Sequence, residues 1–218
     1  TDASSNNRTI TAVGNAIADS KNPFGSTSGS GYGSAFFDGT GDSLDVGTFT
    51  IGTNAFTIEN WFQPKFNTSG SDTVFLYDVS SEDIRVTFKN GNIRAQLGSE
   101  TELSYSIGTL DYNTWYYNAL QRDSSGNVNF YFDGAVVGSY SASGQNVSGN
   151  TLRIGDKQAG SKEFHGYISN FRIVRGTDTV LQTPTSVGSR TIVGANADLR
   201  QTSRGEHCSF IEIDTSPI

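Results

Sequence analysis

Apolar and polar residues alternate with a period of two along much of this chain. Ile84, Val86 and Phe88 interleave with Arg85, Thr87 and Lys89, and beyond Asn90-Gly91 the residues Ile93, Ala95 and Leu97 interleave with Asn92, Arg94 and Gln96. Successive side chains of a strand point to opposite faces, so each run has one face for a core and one for solvent. Asn-Gly, two residues that both accept positive φ, predicts the hairpin turn between them. Val128, Phe130 and Phe132 against Asn127, Asn129 and Tyr131 repeat the split. The same reading predicts strands over 9–18, 34–37, 43–46, 56–63, 73–79, 84–89, 92–97, 102–107, 114–122, 128–133, 135–140, 151–154 and 164–174. Asp123-Ser124-Ser125-Gly126, Asp133-Gly134 and Ser143-Gly144 supply turns in the second half, and Ser26 to Gly31 reads as a loop. So many short strands with no helical stripe call for an all-β, antiparallel two-sheet sandwich or jelly roll.

Composition narrows the class further. A chain of 218 residues, 34% hydrophobic and 17% charged, closes one core and is short for two. Its 25 glycines, 14 Phe and 9 Tyr with no Met suit turns and strands rather than a helical bundle. The net charge of -7, with no run of clustered Lys and Arg, argues against a nucleic-acid groove or an anionic membrane surface as partner. No apolar run reaches the length of a membrane-crossing helix. The single Cys208 has no partner for an internal disulfide. The absence of Met leaves two readings open: an initiator removed before Thr1, or a segment of something longer.

From Ser34-Ala35-Phe36-Phe37-Asp38-Gly39-Thr40-Gly41-Asp42-Ser43-Leu44 onward, the sequence resembles a laminin G-like, concanavalin A-like jelly-roll domain. Phe56-Thr57-Ile58-Glu59-Asn60-Trp61-Phe62 is similar to that family's central strand, and Trp115 to Arg122 to its Trp-x-x-x-Ala-Leu-x-Arg strand. Phe130-Tyr131-Phe132-Asp133-Gly134 resembles its Asp-Gly hairpin, and Leu152 to Gly155 with Phe164 to Ile173 its closing pair. Thr9 to Ala16, and Phe171 to Thr177 followed by Pro184-Thr185-Ser186, resemble modules of tailed-bacteriophage structural proteins, particularly of marine and cyanobacterial phages. The resemblance implies a domain over 1–200 whose first strand is missing, and an extension over 201–218 that meets a neighbour.

Catalytic patterns are thin. Glycoside hydrolases on this fold carry Glu-x-Asp-x-Glu on one strand, because one carboxyl donates a proton while another attacks or activates water. Glu212-Ile213-Asp214 lacks the third carboxylate and reads as a terminal strand with solvated acids; Glu100 and Glu102 read as solubilising charges beside a turn. His165 reads as a packed or edge residue, and His207-Cys208 has no further Cys or His at metal-ligand spacing. Calcium stays open through Asp38, Asp42 and Asp156, three carboxylates in turns suited to oxygen ligation; no cofactor is required.

The strongest expectation falls on the solvated sheet face. Alternation sets Glu59 and Trp61 opposite Phe56, Ile58 and Phe62, and leaves Arg85, Thr87, Arg94, Gln96, Asn129 and Tyr131 outward. A sugar offers apolar ring faces and a rim of hydroxyls, so Trp61 and Tyr131 as platform, with Arg and Asn around them, predict a saccharide site. Half-buried sheet packing is the plainer account of the same residues. The function expected is a non-enzymatic module on a virion surface that binds host-surface glycan. The alternative is a decoration or fibre protein contacting neighbouring virion proteins, and a divergent glycan hydrolase ranks third. Self-association is left open, and neither nucleic acid nor membrane insertion is expected.

Overall fold

The structure, a computed structural model, describes residues 8–23, 33–47, 50–79, 83–100, 102–148, 151–158 and 160–176, together with the backbone of 182–186, 189–192 and 211–214. Its strands are β1 (Ile10–Val13), β2 (Ile17–Asp19), β3 (Ser34–Asp38), β4 (Ser43–Val46), β5 (Phe56–Pro64), β6 (Val74–Val79), β7 (Ile84–Lys89) and β8 (Asn92–Leu97). There follow β9 (Leu103–Ser106), β10 (Tyr116–Arg122), β11 (Asn127–Phe132), β12 (Ala135–Ser141), β13 (Leu152–Ile154), β14 (His165–Arg175), β15 (Gln182–Ser186), β16 (Ser189–Ile192) and β17 (Ile211–Asp214). One sheet runs β1-β4-β13-β6-β7-β8-β9 and the facing sheet β12-β11-β10-β5-β14-β3-β2, while β15 and β16 form a separate hairpin. Phe37, Phe56, Ile58, Phe62, Tyr77, Val86, Phe88, Ile93, Leu120, Phe130, Phe171 and Ile173, drawn from both sheets, are buried in one shared core. The all-β two-sheet sandwich expected from the alternation is the fold.

Three details differ from the pattern read along the chain. The stretch 9–18 is two strands rather than one: β1 pairs β4 in the first sheet and β2 pairs β3 in the second. Gly14 makes the switch at φ 70°, where an added Cβ would lie 2.5 Å from the Asp42 carboxylate, so only glycine fits. Residues 211–214 of the expected extension belong to the second sheet, where β17 pairs β14 in parallel, the exception to an otherwise antiparallel sandwich. The Ser26 to Gly31 loop, His207 and Cys208 lie outside the described residues.

The third detail decides which side chains face outward. Between Ser169 and Arg172 the register of β14 against β5 shifts by one residue, with Asn170 at φ 49°. Strict alternation from the buried Ile168 would carry Asn170 and Arg172 inward. The bulge instead turns Phe171 and Ile173 into the core and Arg172 onto the outer face. A corresponding shift in β6 between Phe75 and Tyr77 sends both Leu76 and Tyr77 into the core and leaves Phe75 outside that cluster.

Candidate functional site

The residues expected to share one wet face lie on two sheets. Glu59 and Trp61 (β5) and Asn129 and Tyr131 (β11) belong to the second sheet; Arg85 and Thr87 (β7) and Arg94 and Gln96 (β8) belong to the first. Facing sheets turn their outer surfaces in opposite directions, so these are two sites and not one.

On the second sheet the outer face is closed around its centre. Trp61 is 6% exposed and packs with Trp115, Tyr117 and Ala119, flanked by Tyr131 and Tyr167. The Trp61 and Tyr117 rings lie 5.5 Å apart, so the expected stacking platform is already filled by the protein's own aromatics. Glu59 is 0% exposed. Tyr117 Oη donates to Glu59 Oε2 at 2.6 Å, and Arg172 Nη1 donates to Oε1 at 2.7 Å. Burial, and then the Glu59 carboxylate, push the Tyr117 phenol well above the ordinary tyrosine range. Tyr131 Oη donates to Gln121 Oε1 at 2.9 Å, and Asn129, two residues earlier on β11, reaches the same oxygen at 3.5 Å, so these two remain only at the half-buried margin. Backbone register places Glu212 of β17 beside Arg172, in the row that includes Glu59.

The first sheet is open, and it carries a groove of about 280 Å³. Arg85 and Lys89 on β7 and Arg94 on β8 line it from the sheet, while Lys157 and Lys162 line it from the loop after β13. Thr87 stands between them, in register with Arg94 on one side and Phe75 on the other. Phe75, outward because of the β6 bulge and 4% exposed, forms part of the wall beneath Lys157 Nζ, 5.9 Å from its ring. Arg94 Nη1 pairs with Glu102 Oε2 at 3.0 Å, the groove's single carboxylate. Arg85 Nη2 donates to Gln96 Oε1, while Gln96 Nε2 is anchored on the carbonyls of Gly98 and Glu100 at 3.2 and 2.9 Å. Both arginines are thus paired, Arg85 with an amide that is itself anchored and Arg94 with a carboxylate.

The loop bearing the two lysines is clasped from three sides. Asp156 Oδ1 accepts the backbone N–H groups of Lys157 at 2.6 Å and Lys162 at 2.9 Å, closing the loop on itself. Burial raises the Asp156 carboxyl above the usual range despite those donors. Asp78 Oδ2 accepts from Gln158 N at 2.8 Å. Arg153 makes a two-pronged pair with Asp45 at 2.7 and 2.8 Å while donating to the carbonyls of Lys157 and Gln158.

These bonds also account for the carboxylates proposed for calcium. Asp42 Oδ1 accepts Asn15 N at 2.7 Å and its Oδ2 accepts Asp38 N at 2.8 Å; Asp38 holds Thr40 N and the Asn15 side-chain amide. Each is an acceptor that closes a turn, and hydrogen bonds from Asn15 and Thr40 lower the Asp38 pKa. Among the described residues no group of three or more His, Cys, Asp or Glu is placed to hold a metal ion. Asp38, Asp42 and Asp156 therefore do not fit a shared cation site in this arrangement. Glu100 and Glu102 are engaged as well: Glu100 Oε1 accepts from Gln145 Nε2 at 2.7 Å. His165 sits at the start of β14, edge-on to Phe36 with centroids 6.1 Å apart, a packed position as expected.

Lys89, Lys157, Lys162 and Glu102 were not singled out from the sequence as site residues. The signal for two of them was the charged loop Asp156-Lys157-Gln158-Ala159-Gly160-Ser161-Lys162, whose place against β7 no spacing rule reveals.

A seven-stranded sheet packed on a second, larger one, with the chain crossing repeatedly between them, is the architecture of lectin-like jelly rolls. Residues 38–181 match the family model of the Concanavalin A-like lectin/glucanases superfamily, laminin G type, and the chain belongs to that family. No curated protein matches it. Similar solved structures include the native heptameric SAP-like pentraxin of Limulus polyphemus, 17% identical with a TM-score of 0.52, covering 68% of this chain and 76% of that one. The botulinum neurotoxin serotype D ligand binding domain, solved in complex with N-acetylneuraminic acid, is 15% identical with a TM-score of 0.62, covering 82% of this chain. The botulinum neurotoxin serotype G binding domain is 16% identical with a TM-score of 0.60. This chain spans 45% of the length of each of those two toxin domains. At such identities the likeness is one of fold.

Proposed function

We propose that this chain is a non-enzymatic, lectin-like module that holds a saccharide in the groove on the outer face of the seven-stranded sheet. The observation that carries the reading is the groove itself. It is an open concavity near the ~300 Å³ lower bound of ligand pockets, with two paired arginines and the amide Gln96 beside Arg85. Membership of a lectin-containing family supports saccharide as the ligand class. The non-enzymatic part is supported by Glu59, which is charge-paired, hydrogen-bonded and closed from solvent, so that neither water nor a glycosidic oxygen reaches it.

The setting we propose is extracellular: exposure on the surface of a tailed-bacteriophage virion, with host-surface glycan as the partner. This rests on the resemblance of Thr9 to Ala16 and Phe171 to Thr177 to phage modules. A glycan array probed with the wild-type chain, the Arg85→Ala/Arg94→Ala double variant and Tyr131→Phe tests the reading. Binding to at least one saccharide class, lost in the double variant and kept in Tyr131→Phe, is expected. An array silent for the folded wild-type chain would sink it.

A further inference from the structure

We infer that the groove takes an anionic saccharide, one whose rings carry carboxylate or sulfate groups. This builds on the saccharide-binding reading above and adds the chemistry of the ligand.

Charge is distributed very unevenly over this molecule. The chain carries 15 Lys and Arg against 22 Asp and Glu, yet the lining of the groove holds Arg85, Lys89, Arg94, Lys157 and Lys162 with one carboxylate, Glu102, and Asp78 stands cross-strand from Arg85. Glu102 is taken up by Arg94. Neither Lys89 nor Lys162 has an ion-pair partner among the described residues, although both lean over the same space. The Nε–H of Arg94 is buried and lacks an acceptor. Lys and Arg only donate hydrogen bonds, so their natural complement is a group that only accepts. An ionised carboxylate or a sulfate ester is such a group. Neutral hydroxyls would leave Lys89 and Lys162 without a counter-charge, and charge-assisted bonds to an anion are the stronger ones.

Size and net charge favour a saccharide over a long polyanion. A volume of about 280 Å³ suits about one or two sugar rings. A phosphate backbone extending beyond the groove would meet a chain whose overall charge is -7, whereas a ligand with localised anionic groups meets only the basic patch. The same field draws such ligands in: a locally positive concavity on an otherwise negative surface focuses anions onto one spot.

Isothermal titration of the full chain with three hexasaccharides and one oligonucleotide tests this. Oligogalacturonate supplies carboxylate alone, chondroitin sulfate supplies carboxylate with sulfate ester, maltohexaose supplies neither, and hexathymidylate is the competing anion. At least one acidic hexasaccharide binds about tenfold or more tightly than maltohexaose, and its affinity falls about tenfold between 50 and 300 mM salt. The carboxylate and sulfate arms report which group is recognised. Lys89→Gln/Lys162→Gln weakens acidic binding about tenfold with an unchanged melting temperature, and Glu102→Gln tightens it about threefold. Equal, salt-insensitive binding of maltohexaose would overturn the anionic assignment while leaving saccharide binding standing. Failure of all three saccharides would remove both, and hexathymidylate binding as tightly as the best saccharide would overturn the choice of sugar as carrier of the charge.

Discussion

The outer faces of the two sheets are built from the same alternating pattern and end in opposite states. On β5, Glu59 and Trp61 stand outward by the period of two, just as Arg85 and Thr87 do on β7. Yet Glu59 is sealed under Tyr117 and Arg172, while Arg85 and Arg94 look into an open groove. The difference lies in what each neighbouring strand contributes. β10 supplies Tyr117 beside Trp61, and the β14 bulge turns Arg172 out beside Glu59, so large side chains and a counter-charge close that face. Around β7 the groove's lining is mostly cationic, with Asp78 opposite Arg85 and Glu102 paired to Arg94, and the loop after β13 stands over the sheet as a rim. An outward position in a strand states a direction; its exposure is set by the strands on either side.

The sharpest way to break this comparison is Glu59→Gln, which takes the fully buried carboxylate away from Arg172 and Tyr117. A loss of about 3–5 kcal/mol in urea unfolding is expected, the scale for removing one partner of a buried pair. A loss below about 1 kcal/mol would mean that the closed face is wet. Tyr117→Phe comes next. It removes one short bond to a carboxylate, at about 1.5–3 kcal/mol, and alters the alkaline limb of the stability profile. Because the folded pKa of Tyr117 is raised, its contribution is complete below about pH 10, where the unfolded phenol is protonated, and is lost as pH rises toward the folded value. Tyr117→Phe should therefore flatten the decline above pH 10, measured as melting temperature against pH; an unchanged slope counts against a buried phenol.

On the open face the effects shift from stability to binding. Asp156→Ala unties the Lys157 and Lys162 N–H groups, costing about 1–2 kcal/mol and weakening groove binding through a loosened loop. Hydrogen exchange of those two amides reports it directly; unchanged protection would show the clasp to be idle. Smallest in stability is Arg94→Gln, within about 1 kcal/mol of wild type because its pair with Glu102 is part-exposed. Its effect belongs to ligand affinity. A destabilisation as large as that of Glu59→Gln would erase the distinction between the two faces.

Most of the strand layout was legible in the chain. Ile84–Lys89 and Asn92–Leu97 fall where alternation placed them, and Asn90 and Gly91 adopt the positive φ values, 53° and 70°, that their turn requires. Local rules suffice there, since a hairpin is closed by residues a few positions apart. The candidate site was legible in part. Arg85 and Arg94, outward by the alternation, do gather at one groove, with Gln96 holding Arg85 from beside it, whereas Trp61 and Glu59, set on the same surface by the alternation, belong to another sheet. Strand order is not encoded in periodicity, and neither bulge announces itself by composition.

The sequence by itself determined the all-β class, the inward set of core residues along most strands and the hairpin turns, because these follow from a period of two and from φ preferences within a few residues. Only the tertiary structure decided where charge accumulates. Scattered over positions 85 to 162, the five groove cations form no cluster in the chain, and a net charge of -7 points away from any basic site. Bringing β6, β7, β8 and the loop after β13 together costs conformational freedom that the shared apolar core offsets, and the basic groove is a consequence of that packing.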